Sequence, residues 1–278
     1  MGLELAKCSL ELGWSVTAFT RNLKTAEKAE QLGAKTVTGN LQDHDWWHRI
    51  SPDFDHVVNS VGAFSPSLEG YKQSYLLGMQ SIVGWMEKKQ IRCENLIFTS
   101  SSSVYPQQDG SLVNEESDHS EVSPRGQILL EAEKICLGAS TELAARSSVI
   151  RLSGLYGPDR HLLVDKIRRN EPMSGNSDRV LNLTHRDDAV SAILAVLQAG
   201  DHYKGGILNA CDGQHATRGE IVSWVAQYLN LPPPEFKGSD QDHGPNRRVD
   251  NSKIKQLLEW SPKYPTFQSG YQDFLASE

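Results

Sequence analysis

Three short runs in this 278-residue chain collect side chains that can do chemistry. The first, Leu96-Ile97-Phe98-Thr99-Ser100-Ser101-Ser102-Ser103-Val104-Tyr105, is an apolar strand that runs into hydroxyl groups. Open α/β sheets bind ligands at the carboxyl ends of their strands, where hydroxyl groups can donate and accept hydrogen bonds. A Ser-rich strand exit with a packed aromatic is the competing reading. The second run, Val149-Ile150-Arg151-Leu152-Ser153-Gly154-Leu155-Tyr156-Gly157-Pro158, is another strand ending in a turn. Its Arg151 suits an ion pair or a substrate clamp. The third, Asn182-Leu183-Thr184-His185-Arg186-Asp187-Asp188, precedes a helix that Asp187 or Asp188 could cap. His185 titrates near neutrality if exposed, and otherwise satisfies backbone groups at the helix start.

These groups need a frame, and the hydropathy pattern supplies one. Helical spacing opens the chain through Leu3, Ala6 and Leu10, and Gly13 ends that helix. Strands are predicted at 15–20, 35–38, 56–60, 95–100, 147–152 and 206–210, with helices at 24–32, 71–89, 126–138, 187–198 and 217–229. Strands alternating with helices at this spacing require right-handed crossovers and a mostly parallel sheet, a doubly wound α/β fold. The Trp46-Trp47 pair reads as a helix packed on that sheet. Beyond about residue 154 the pattern loosens, so 1–155 is expected to be the core and 156–278 a smaller substrate-side lobe packed with it as one unit. The sharpest breaks, Pro232-Pro233-Pro234 and 238–246, read as loops.

Composition narrows the partners. With 28 Lys+Arg against 35 Asp+Glu the net charge is -7, which offers no overall basic field for nucleic acid. Mean hydropathy is -0.46, and no apolar run approaches the ~20 residues of a bilayer span, so no membrane partner is expected. Cys8, Cys93, Cys136 and Cys211 stand far apart, arguing against a metal site or a disulfide framework. No signal-peptide pattern opens the chain, and a cytoplasmic setting is expected. A homodimer is left open.

The order and spacing of the three runs resemble the extended short-chain dehydrogenase/reductase superfamily, its NAD(P)-dependent epimerase/dehydratase group. The run Asn246-Arg247-Arg248-Val249-Asp250-Asn251-Ser252-Lys253, with Tyr264-Pro265 and Gly270-Tyr271, is similar to the tail of its small atypical YeeZ-like subgroup. The resemblance covers essentially the whole chain and implies a Rossmann-like fold. It places the family's catalytic hydroxyl on Ser101. The family's Tyr-x-x-x-Lys pair falls on Arg125 and Leu129, so both members are replaced. An arginine stays protonated and leucine offers neither charge nor donor, which leaves Tyr105 as the nearest substitute acid/base.

The cofactor half departs from the family too. Of the glycine fingerprint only Gly2 is present, and the first strand and earlier glycines are expected to be missing. The start of this sequence is then either internal to the natural protein or a damaged form. After the next strand Thr20-Arg21-Asn22 replaces the usual acid, and arginine suits the 2′-phosphate of NADP, with NAD as the alternative. A solvated loop arginine is the competing reading. Asn40-Leu41 matches the adenine-side Asp-Leu, and Ser60-Val61-Gly62 the small-residue loop behind the cofactor. The expected function is an epimerase/dehydratase-like oxidoreductase for a small polar or sugar-nucleotide-like substrate. The alternative is a non-catalytic dinucleotide-binding sensor or scaffold.

Overall fold

A computed structural model describes residues 1–139, 142–237 and 244–276 of the chain; the predicted 238–246 loop falls outside them up to residue 243. The first third runs α1 (Gly2–Glu11), β1 (Thr17–Thr20), α2 (Leu23–Gln31), β2 (Lys35–Thr38), β3 (His56–Asn59), α3 (Leu68–Tyr71), α4 (Gly78–Lys89) and β4 (Cys93–Ser101). The middle adds β5 (Leu112–Val113), α5 (Pro124–Gly138), β6 (Ala144–Leu152), β7 (Gly154–Tyr156), α6 (Leu162–Arg168), β8 (Met173–Ser174), β9 (Leu183–His185) and α7 (Arg186–Gln198). The rest comprises β10 (Gly206–Ala210), α8 (Arg218–Tyr228), β11 (Phe236–Lys237), β12 (Arg248–Val249), α9 (Ser252–Leu258) and α10 (Phe267–Leu275). This is the doubly wound α/β arrangement with parallel strands that the periodicity predicts. The Trp46-Trp47 pair lies on a short 3-10 turn, Asp45–His48, rather than on an α-helix.

The chain divides into two units. The first contains Met1–Val104, Val122–Arg151 and Ala192–Leu208; the second contains Tyr105–Glu121, Leu152–Ser191 and the chain from Asn209 onward. The 105–121 segment therefore clusters with the second unit and 192–208 with the first.

In the first unit a four-stranded sheet has the order β10-β6-β4-β3, and β1-β2 form a separate two-stranded sheet. β4 is the spine: Leu96, Ile97 and Phe98 are fully buried, as expected of a strand covered on both faces. β3 pairs with it in parallel, His56 opposite Asn95. Beneath its exit, Ser100 Oγ donates to Glu133 Oε1 at 2.6 Å. Arg151 of β6 grips the same carboxylate through Nε at 3.1 Å and an Nη at 2.8 Å.

β1 and β3 flank a gap. Each pairs on one side only among the described residues, β1 with β2 and β3 with β4. Side-chain contacts bridge the gap at both ends: Trp14 meets His56 at 5.3 Å before the two strands, and the Arg21 guanidinium lies 4.4 Å from the Phe64 ring centre after them. The two strands therefore run in the same direction beside each other. The expected first strand is absent between them among the described residues, and all four residues of β1 remain only half-buried.

The second unit packs Tyr156, Val164, Ile167, Met173, Ile221 and Phe267 in one apolar core. Thr217 and Glu220 cap α8 reciprocally, which satisfies two of the amide donors that a helix start leaves open.

Candidate functional site

The exits of β1, β3 and β4 carry the side chains of interest in the first unit. Ser101 ends β4 half-buried, and its Oγ accepts the Ser103 amide at 3.2 Å. That bond uses a lone pair and leaves the hydroxyl proton free to donate to a ligand oxygen. α5 begins beside this turn. Ser123 caps it by accepting the Gly126 amide, and Pro124 fits the first turn because no amide is needed there. Gly126 is required by close approach: a Cβ would sit 2.3 Å from Val122 and 3.1 Å from the Ser103 carbonyl. Arg125 is exposed, with its guanidinium 5.4 Å from the Tyr71 ring centre. Leu129, one turn further, is fully buried.

The residues expected to bind a dinucleotide separate into two kinds. Arg21 is exposed over Phe64 and has no ion pair among the described residues. Gly2 begins α1 against the β3 exit, where a Cβ would lie 3.6 Å from Ser60 Oγ, and Gly62 faces open space. The Val61 amide is held by Asn59 Oδ1 at 3.3 Å, which fixes the loop after β3. The others have structural work. Asn22 caps α2 by accepting the Thr25 amide at 3.1 Å. Asn40 donates to Asp43 at 3.1 Å, and the Leu41 carbonyl accepts from Trp46 Nε1 at 3.1 Å.

Tyr105 and the third run belong to the second unit. Tyr105 is buried, and its hydroxyl donates to Asn209 Oδ1 at 2.7 Å. The Asn209 backbone amide in turn donates to Glu115 Oε1 at 2.6 Å. His185 accepts the Asp187 amide on Nδ1 at 3.3 Å, and burial holds its pKa down at about 4. It is therefore neutral at ordinary pH. Gly157, at φ +121°, allows the imidazole to approach, since a Cβ would fall 2.6 Å from Nε2. Asp188 does not cap α7 as expected: its carboxylate takes the amides of Lys263 at 2.6 Å and Tyr264 at 3.1 Å, tying down a loop 75 residues away. Arg151 is engaged as an ion pair with Glu133.

Sequence reasoning missed Phe64, Tyr71 and Glu133. The two aromatics carry no motif, and their value comes from the cations placed over them. Glu133 could have been suspected as an acid at a position that the α5 pattern directs inward.

Among the described residues no group of three His, Cys, Asp or Glu side chains is placed to hold a metal ion. The four cysteines are free thiols, and burial raises Cys93 to about 11 and Cys136 to about 12, so neither is a ready nucleophile. No helix among the described residues is long and apolar enough to cross a membrane.

Residues 1–211 match the profile of the NAD dependent epimerase/dehydratase family. Protein YeeZ of Escherichia coli K12 is 29% identical over 276 residues, covering 95% of this chain and 93% of the relative. An uncharacterized UDP-glucose epimerase, YtcB of Bacillus subtilis, is 27% identical over 260 residues, covering 88% and 75%. UDP-glucuronic acid 4-epimerase of Bacillus cereus, solved with UDP-glucuronic acid and NAD, shares the fold at TM-score 0.83 and 18% identity, covering 99% and 96%.

Proposed function

The chain belongs to the NAD dependent epimerase/dehydratase family, and on that premise we propose that it binds NADP ahead of NAD and holds a sugar-nucleotide-like substrate at Ser101. Arg21 carries the cofactor reading. It stands at the β1 exit without a carboxylate partner among the described residues, where a planar guanidinium suits a ribose phosphate. The residues present fit a dinucleotide in other respects. The start of α1 has no side-chain cap, which suits a pyrophosphate, and Gly2 packs by Ser60 while Gly62 faces open space at the β3 exit. Asn22, Asn40, Leu41 and Val61 are each held by a local hydrogen bond. When bound, a nicotinamide accepts or returns a hydride; Ser101 then positions the reacting oxygen.

Proton transfer is the weak step. Arg125 cannot act as an acid/base, Leu129 cannot lower a phenol's pKa, and the Tyr105 hydroxyl is engaged with Asn209. Tyr105 thus supports a second reading, a non-catalytic dinucleotide-binding sensor.

Calorimetric titration tests the proposal. NADP should bind about tenfold more tightly than NAD, by the worth of one screened charge-assisted contact. Arg21→Ala should remove the difference. NAD binding as tightly as NADP to the wild type would refute the assignment. Product formation from a sugar nucleotide, followed by chromatography, separates the enzyme from the sensor.

A further inference from the structure

The position of Arg125 is not explained by the stability of the fold. The first turn of a helix disfavours positive charge, and α5 has no acidic residue in its first turn to offset it. Arg125 also has no ion pair among the described residues. Its guanidinium instead lies 5.4 Å from the Tyr71 ring centre, a cation–π contact that uses none of its N–H donors. Gly126, the next residue, packs on the Ser103 carbonyl, and the Ser103 amide is bound by Ser101. An exposed cation therefore extends from the helix start that packs on the turn following Ser101.

We infer that Arg125 is a specificity residue that selects a substrate carrying a carboxylate beside the oxygen held by Ser101, a uronic-acid type of sugar nucleotide. A guanidinium pairs with a carboxylate through two parallel hydrogen bonds, and a neutral hydroxymethyl group gives it no such partner. The same charge that makes Arg125 useless as an acid/base makes it a discriminator. This inference rests on the sugar-nucleotide reading above.

The test titrates the protein calorimetrically with UDP-glucuronic acid and UDP-glucose, both with and without saturating NADP. The wild type should prefer UDP-glucuronic acid by about tenfold or more, as expected for one charge-assisted pair. Arg125→Gln should lower that affinity to the UDP-glucose level and leave UDP-glucose binding in place. Arg125→Lys should be intermediate, because an ammonium is a point charge without the fork. Raising the salt concentration should shrink the preference. Equal wild-type affinities, an equal loss of both ligands in Arg125→Gln, or no binding of either sugar nucleotide would overturn the inference. The dinucleotide titration stands apart: loss of NADP binding alone would overturn the cofactor reading, and the titrations without NADP would still decide Arg125.

Discussion

The Glu133–Arg151 pair sets how firmly the β4 exit is held, and its removal has a calculable effect. Both residues are 2% exposed, and hydrogen bonds between them measure 3.1 and 2.8 Å. Ser100 adds a third bond to the carboxylate at 2.6 Å. Replacing Glu133 by Leu leaves the buried guanidinium without this carboxylate, a change that typically costs about 3–5 kcal/mol. The lost Ser100 bond adds roughly 1 kcal/mol. Arg151→Met should cost a similar amount by leaving the carboxylate buried. The double variant should lie within about 1–2 kcal/mol of the wild type, since neither desolvated charge then remains.

Hydrogen exchange of the β4 and β6 amides is the suitable assay, because a chain with two units need not unfold in one step. Both single variants should speed exchange in these strands, and the double variant should restore protection. The Glu133→Leu variant should also bind sugar nucleotide more weakly, since Ser101 directly follows the loosened Ser100. Single-variant costs below about 1 kcal/mol, or a double variant equal to their sum, would show that the pair contributes little.

The second unit should respond to pH through Asp212, whose carboxyl is raised by burial to about 7 from an ordinary 3.8. The unfolded chain then releases this proton first, so the stabilisation present at low pH is lost as pH rises through 7. Asp212→Asn should exceed the wild type in melting temperature by a margin that widens from about pH 4 to about pH 8; a margin that stays constant over that range would refute this. His185 acts in the opposite sense, with its pKa lowered from 6.5 to about 4, so in the Asp212→Asn background stability should fall as pH drops across that range. Leu129→Lys, alone or with Arg125→Tyr, should cost several kcal/mol by burying an ammonium. A double variant that melts with the wild type and turns over substrate would show that position 129 is not committed to the core.

Most of the frame was legible because burial on both faces leaves a plain trace. The 35–38 and 206–210 strands appear with the predicted bounds, and β4 extends the predicted 95–100 run by two residues before and one after. α6, α9 and α10 were not anticipated, since their apolar faces are short and separated by turns. At the candidate site, residue identity singled out Ser101 and Arg21 but could not supply the partners of the residues around them. The acceptor of the Tyr105 hydroxyl is 104 residues away, and that of the Lys263 amide is 75 away. Only folding shows that Tyr105 is engaged or that Asp188 anchors a loop. The gap between β1 and β3 was foreseen from the missing glycines, whereas its bridging by Trp14–His56 and Arg21–Phe64 was not.

Arg125 and Leu129 fit their places on α5 for a physical reason. Arg21 and Gly62 lie on exposed turns at strand exits, where a side chain can change without disturbing the core. Positions 125 and 129 are four residues apart on α5 and so share one helix face, which runs from the exposed rim to the interior. A lysine at 129 would need its charge satisfied at a fully buried position, whereas leucine fills that place with apolar contacts. A lysine there would also repel Arg125, by roughly 0.2–0.5 kcal/mol even on an exposed helix. Leu129 and Arg125 are thus mutually consistent: removing the inner cation permits the outer one.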